Sequence, residues 1–176
     1  MTAETRFHVL FTREEISAAV ERLAAEIEKD YLGKNPLLIG ILKGSFIFLA
    51  DLVRRLGLTL EIDFVRLSSY GSGTESSGKI RVERGLRTQV RGRDVLVVED
   101  IVDTGLTTGF LMDYLRRKNP VSLKLCALTD KPSRRLTPVT IDYLGFTVPD
   151  KFLVGYGLDW NQKFRNLPHI CYIEEG

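Results

Sequence analysis

The stretch VLVVEDIVDTGLTTG, residues 95–109, constrains the fold more than any other part of the chain. Val95, Leu96, Val97 and Val98 form an apolar run without alternation. A strand of that kind has no solvent face, so it needs cover on both sides, as strands of parallel α/β sheets have. The run stops at two adjacent acids, Glu99 and Asp100. Asp103 follows three positions on, and then Thr and Gly residues lead into a helical pattern. In open parallel sheets ligands gather beyond the carboxyl ends of the strands. One short stretch therefore points to both a fold class and a candidate site.

The remaining segments fit such a sheet. FTREEISAAVERLAAEIEKDY places Ile16, Val20, Leu23 and Ile27 at helical spacing, and Thr12 with Glu15 reads as a capping box. LLIGIL after Pro36 and VSLKLCAL read as buried strands. FIFLADLVRRL and TTGFLMDYLRRK read as helices, the second ending in three cations that favour the negative end of its dipole. LTLEIDFVRL alternates, which predicts a half-buried strand with Leu58, Leu60, Ile62 and Phe64 on its inner face. KIRVERG, IDYLGF, FLVGYG and HICYI read as short strands. Strands alternating with helices predict an α/β fold, a parallel-sheet core flanked by helices with right-handed crossovers. The 176 residues suit one domain, and neither a repeat nor a linker divides them. The core is expected over about residues 36–145, with a small hood subdomain from the N-terminal segment and about 146–176. SSYGSGTESSG is polar and rich in Gly and Ser, which predicts a mobile loop opened by Ser69 and Tyr70.

Bulk properties narrow the function. A net charge of +2 gives no argument for a nucleic-acid or membrane partner. No apolar run reaches the roughly 20 residues of a membrane span, and MTAETRF has no hydrophobic signal segment. Cys126 and Cys171 sit in apolar stretches without a C-x-x-C pattern, so buried free thiols in a reducing, cytoplasmic setting are expected. His8 and His169 match no metal or triad spacing.

The loop after the acids carries chemistry. Gly105 permits a turn that a side chain would block. Thr104, Thr107 and Thr108 offer hydroxyls, and the helix start offers free N–H groups, which together make a phosphate cradle. No G-x-x-x-x-G-K-[ST] or G-x-G-x-x-G motif occurs. A lone Asp before a helix most often caps it. Three acids beside a Thr/Gly loop call for more. Carboxylates accept hydrogen bonds from sugar hydroxyls and bind Mg²⁺, so a ligand with a phosphate, a ribose and a metal-bound pyrophosphate fits both halves of the motif.

That motif resembles the phosphoribosyl-pyrophosphate signature of the type I phosphoribosyltransferases. ILKGSFIFLADL, DFVRLSSYG, LTDKPSRR and DKFLVGYGLDWNQKFRNLPHICYI are similar, in order, to blocks of the hypoxanthine-guanine branch, and they cover most of residues 37–173. The resemblance implies the type I phosphoribosyltransferase fold and transfer of the phosphoribosyl group to hypoxanthine or guanine, with Mg²⁺ as cofactor and a homodimer or homotetramer as the assembly. It implies that Glu99 and Asp100 hold the ribose hydroxyls, directly or through metal, and that Asp103 is the catalytic base or proton partner at the purine N7. Thr104, Gly105, Leu106, Thr107 and Thr108 cradle the 5′-phosphate. Lys43 and Gly44 form the pyrophosphate loop, whose peptide is often cis in the family, and Arg165 meets the pyrophosphate. Lys131 contacts the purine O6, Phe152 stacks on the base, the Leu153 backbone meets its edge, and Asp159 binds Mg²⁺ beside the purine. Ser69 and Tyr70 open a loop that closes over the site. Leu106 stands where some family members carry lysine, and Trp160 where many carry a smaller aromatic.

Each assignment has a plainer counterpart. Lys131 before Pro132 also reads as a solvated turn lysine, Phe152 as core, and Asp159 with Arg165 as a surface pair. Two other functions remain open: a transferase for xanthine, adenine or uracil, and an RNA-binding regulator of the pyrimidine-attenuator kind. The second would use Arg81, Arg84, Arg87, Arg91 and Arg93, which a solvated edge strand accounts for more simply.

Overall fold

The computed structural model describes residues 6–70 and 79–174. Of the expected mobile loop, residues 68–78, the first three extend β3 instead because they pair with β4, and 71–78 lie outside the described residues. The elements are β1 (Arg6–Phe11), α1 (Arg13–Tyr31), β2 (Leu37–Leu42), α2 (Phe46–Val53), β3 (Glu61–Tyr70), β4 (Lys79–Arg84), β5 (Asp94–Val102), α3 (Leu106–Arg116), β6 (Ser122–Asp130), a 3₁₀ turn (Pro132–Arg134), β7 (Tyr143–Thr147), β8 (Phe152–Val154) and β9 (Ile170–Glu174).

Six strands form one sheet in the order β4-β3-β2-β5-β6-β7. All neighbours are parallel except the β3–β4 pair at one edge. The apolar runs find the two-sided cover they require. Leu38, Leu96, Val98, Cys126 and Leu128 pack towards α1 and α2, while Leu37, Ile39, Val95, Val97, Leu125 and Ala127 pack towards α3. Successive strand residues point to opposite faces, so an unbroken apolar sequence serves two cores at once. Thr12 and Glu15 form the expected capping box at the start of α1, and Cys126 and Cys171 are free and buried.

The segment LTLEIDFVRL departs from its expected pattern. The strand begins only at Glu61, and Ile62 is 43% exposed. Phe64, Leu58 and Leu60 pack on the α1/α2 core, whereas Val65 and Leu67 pack on the other face. β3 is an interior strand paired to both β2 and β4, so it buries residues on both sides rather than along one alternating face. β4 is an edge strand, the setting in which charged residues such as Arg81 and Arg84 discourage edge-to-edge pairing.

A separate three-stranded antiparallel sheet, β1-β9-β8, joins the two ends of the described chain. Its own core is small: Val154, Cys171 and Ile173, flanked by Trp160 and Phe164. It is tied to the larger body at a few points. Phe11 stacks on Phe146 with ring centroids 4.0 Å apart. The Tyr156 hydroxyl donates to Asp51 on α2 at 2.6 Å, and Leu153 of β8 and Ile170 of β9 are buried in the α1/α2 core. Among the described residues no helix is long and apolar enough to cross a membrane.

Candidate active site

The carboxyl ends of β2, β5 and β6 face the loops around β8, and between them lies a cavity of about 580 Å³. Lys43, Gly44, Asp100, Asp103, Lys131, Phe152, Leu153, Asp159 and Arg165 all line it. The structure thus brings together nine candidate residues drawn from four separated blocks of sequence.

Glu99, Thr104, Gly105, Leu106, Thr107 and Thr108 are not on that lining. Glu99 is buried beneath Asp100, hydrogen-bonded to the Asp100 carboxylate and to the Thr108 side chain. Burial and the neighbouring Asp100 charge push the Glu99 carboxyl well above the usual carboxylate range. Burial also raises Asp100, opposed by the hydrogen bond from Glu99. Two like charges so close do not both ionise readily, so burial and mutual repulsion hold both carboxyls above the usual range, and Asp100 is the member that lines the cavity.

The Thr/Gly loop lies next to the cavity, on the outer side of Asp103. Gly105 sits at φ +81° and starts α3, whose first turn carries no acid and no side-chain cap. Those N–H groups are open to an anion. Thr107 is exposed and Thr108 is buried on Glu99, so Thr108 anchors the acid pair as well as belonging to the loop. The loop is clamped from behind. Leu136 and Thr137 N–H groups both donate to the Thr104 carbonyl, at 2.8 and 3.1 Å. Arg135 donates to the carbonyls of Asp103 and Val102 at 3.1 and 3.3 Å and also binds the Asp130 carboxylate.

Asp103 is held with one oxygen, Oδ1, shielded from solvent and without a hydrogen-bond partner among the described residues. The Arg134 Nε stands 3.5 Å from it, too far for a good hydrogen bond. The Asp103 side chain as a whole is 38% exposed and lines the cavity, so its outer carboxylate oxygen is the one that can meet a ligand proton.

Lys131 is only 4% exposed, which removes its reading as a solvated turn residue. Its ammonium donates to the Lys151 carbonyl at 2.8 Å. An ammonium has three donors and no acceptor, so the others remain for a ligand acceptor. Phe152 is 55% exposed. It is a rim residue with a bare aromatic face, not core. Leu153 is buried and pairs with Tyr172 on β9, which fixes the β8 backbone behind Phe152.

The loop after β8 carries Asp159 and Arg165. Arg165 binds Asp159 at 2.6 Å and donates to the Gly157 carbonyl at 2.7 Å. Gly157 in turn lies at φ +102°, its Cα so close to the Gly44 carbonyl that a Cβ there would approach within 2.1 Å. A Cβ on Gly44 would meet the Asp100 carboxylate at 1.8 Å. Backbone therefore touches backbone and carboxylate where the two halves of the cavity meet. The Leu42–Lys43 peptide is cis. Ser69 and Tyr70 end β3.

Sequence reasoning missed Arg134, Arg135, Asp150, Lys151 and Gln162. The first four adjoin Lys131 or Phe152 in blocks already singled out, and a charge packed beside a candidate contact was the available signal. Gln162 carried no signal at all.

The sequence profile of the phosphoribosyl transferase domain matches residues 10–161. The hypoxanthine-guanine phosphoribosyltransferase of Streptococcus pneumoniae is 46% identical over 167 residues, 95% of this chain and 93% of that protein. That of Bacillus subtilis is 46% identical over 166 residues, 94% of this chain and 92% of the other. The crystal structure of a hypoxanthine phosphoribosyltransferase from Staphylococcus aureus superposes with a TM-score of 0.91 at 41% identity, over 95% of this chain and 91% of that one. With identity of this level along nearly its whole length, the chain belongs to the phosphoribosyltransferase family, on its hypoxanthine-guanine branch.

Proposed function

We propose that the chain transfers the 5-phosphoribosyl group from phosphoribosyl pyrophosphate to hypoxanthine or guanine, a purine-salvage reaction that yields IMP or GMP and pyrophosphate. The observation that carries this reading is the buried Lys131 ammonium beside the exposed Phe152 ring, facing Asp100 and Asp103 across one cavity. A flat heterocycle with an acceptor at position 6 fits the first pair; a phosphorylated ribose fits the second.

The base stacks on Phe152, and Lys131 donates to its O6. Asp103, on the cavity wall, holds or takes the proton at N7 as the bond from base nitrogen to C1 forms and the bond from C1 to the pyrophosphate oxygen breaks. The Glu99–Asp100 pair accepts from the ribose hydroxyls and favours the positive charge that develops on the sugar. The open start of α3 receives the 5′-phosphate. Lys43 and Arg165 meet the departing pyrophosphate.

The donor set fits Mg²⁺. Asp100 and Asp159 offer hard carboxylate oxygens on the cavity wall, and each oxygen of Asp159 keeps a free lone pair beyond its bonds to Arg165 and the Gln162 N–H. No cluster of three His, Cys, Asp or Glu residues occurs among the described residues, and Mg²⁺ is usually held by one or two carboxylates plus substrate phosphates. Asp159 and Asp100 would hold it, Glu99 acting through Asp100. When bound, it supplies charge neutralisation for the leaving pyrophosphate. The same reading makes the protein a cytoplasmic homodimer or homotetramer.

The test is direct. The protein is mixed with Mg²⁺ and phosphoribosyl pyrophosphate and offered hypoxanthine, guanine, xanthine, adenine and uracil in turn. IMP or GMP formation is the expected result. Nucleotide from adenine or uracil alone, or no nucleotide together with salt-sensitive RNA binding, overturns it.

A further inference from the structure

Gln162 has no role in the reaction described so far, yet it sits between the two cations that meet the pyrophosphate. Its Oε1 accepts from Lys43 Nζ at 2.9 Å and, more weakly, from Arg165 Nη2 at 3.4 Å. Its backbone N–H donates to Asp159 Oδ2 at 2.8 Å. Both side-chain partners are donors only, which fixes the amide with its oxygen towards them. The backbone reaches this position at a cost. Asn161, Gln162 and Phe164 all lie in the left-handed region, at φ +51°, +64° and +72°, which non-glycine residues rarely occupy outside well-determined settings. The tight turn is closed by reciprocal hydrogen bonds between Trp160 and Lys163 of 3.1 and 3.0 Å.

Resting on the transfer reading above, we propose that Gln162 is a positioning residue for the pyrophosphate-binding cations, and that its neutrality sets the affinity of the site for polyanions. An amide oxygen orients Lys43 and Arg165 without cancelling their charge. Hydrogen bonds of that strength exchange readily for bonds to phosphate oxygens, which are charge-assisted and stronger. A carboxylate at the same point would bind both cations as ion pairs and oppose the arriving anion. Arg165 already has one carboxylate partner in Asp159; a second would leave the pair of cations with little net charge to offer.

The experiment compares the parent with Gln162→Glu and Gln162→Met. Both variants keep the side-chain length at an exposed position, so thermal unfolding should stay within about 2 °C of the parent. Calorimetry measures inorganic pyrophosphate and phosphoribosyl pyrophosphate binding, and steady-state kinetics give KM for each substrate. Gln162→Glu is expected to weaken both ligands by about tenfold or more and to raise KM for phosphoribosyl pyrophosphate alike, with KM for hypoxanthine unchanged. Its deficit should shrink as salt screens the added charge. Gln162→Met, which removes the hydrogen bonds but adds no charge, should lose only about threefold. A merely structural residue would show the reverse order, because glutamate is the closer match in shape. Gln162→Glu binding pyrophosphate as well as the parent, or Gln162→Met losing as much as Gln162→Glu, overturns the proposal while leaving the transfer reading intact. A parent that binds neither ligand overturns the transfer reading itself.

Discussion

The cavity has two unlike walls. One is the end of the six-stranded sheet, where the acids sit on β5, a strand whose apolar residues are buried on both faces. The other is the loop after β8, resting on a three-stranded sheet with three buried residues of its own and carrying Tyr156, Asn161, Gln162 and Phe164 at positive φ. The first wall holds groups whose charge and proton must be fixed to a fraction of an ångström. The second holds the ring and cations that meet whatever arrives. The contrast teaches that placement of charge is assigned to the stiffest part of the molecule, and recognition to a part that is stabilised locally and strained.

The sharpest way to break that division is at Lys131, which directly follows β6 of the large sheet yet contacts the base in the proposed reaction. Adenine presents an amino donor where hypoxanthine presents O6, and sites built on a polar match reject the mismatch by about 10⁴–10⁵-fold. Adenine is expected to be rejected on that scale, and Lys131→Ala should lose most hypoxanthine activity while narrowing the gap. Comparable kcat/KM for the two bases in the parent would remove Lys131 from base recognition. Next in size is Asp103→Asn. The amide keeps the shape but cannot take a proton, so turnover should fall about 10²–10⁴-fold with folding unchanged, as read by single-turnover kinetics beside a melting curve. Near-parental chemistry would show that the stiff wall contributes no proton transfer.

Packing gives a third, smaller test. Val97 in β5 and Val154 in β8 are both fully buried. Valine to alanine removes the same two methyl groups at each. At Val97 the loss should be about 2–3 kcal/mol, because sheet and helix leave no room to relax. At Val154 it should be smaller, because a sheet with so small a core can close the gap. Guanidinium unfolding of both variants decides it, and equal losses would mean the two walls are equally stiff.

Much of this division could be read from residues alone, and the limits are instructive. β2, β5 and β6 announce themselves because burial on both faces leaves continuous apolar runs. The acids and the Thr/Gly loop are legible because their chemistry is packed into adjacent positions. β3 misleads because alternation in Leu58, Leu60, Ile62 and Phe64 imitates a one-sided strand, while its true environment is set by pairing with β2. Arg135 acts on partners far off in sequence, so its charge beside Lys131 hints at a role without saying which, and Gln162 acts through an unusual backbone that nothing local marks. Glu99 was read as facing the ligand, whereas its place below Asp100 emerges only from the packing.

The smallest effect concerns the rim of the large sheet. Asp63 on β3 accepts from the Arg87 and Thr88 N–H groups at 2.8 Å each, holding the β4–β5 connection. Burial would raise its carboxyl, but the hydrogen bonds from Thr88, Phe64 and Arg87 outweigh burial and lower it below 3.8. A carboxyl lowered on folding adds stability that is fully present above its unfolded value and lost as pH falls through the folded one. Asp63 is only part-buried, at the rim of the sheet, so solvent screening keeps the contribution to less than about 1 kcal/mol. Asp63→Asn should flatten the acid limb of stability below about pH 4 and change neither kcat nor KM. An unchanged acid limb would show that this contact does not brace the rim.

The touching backbones of Gly44 and Gly157 have a further consequence. With no side chain on either, the loop that carries Lys43 and the loop that carries Asp159 and Arg165 press directly together, and neither can shift without displacing the other. Phe152 stands a few residues before the second loop. Whatever stacks on that ring therefore biases the geometry offered to the pyrophosphate, and the reverse holds by the same amount, because coupling between two binding equilibria is reciprocal. In the proposed reaction the two substrates would communicate through a joint that only glycine can make, and a methyl group at either position would force the two loops apart.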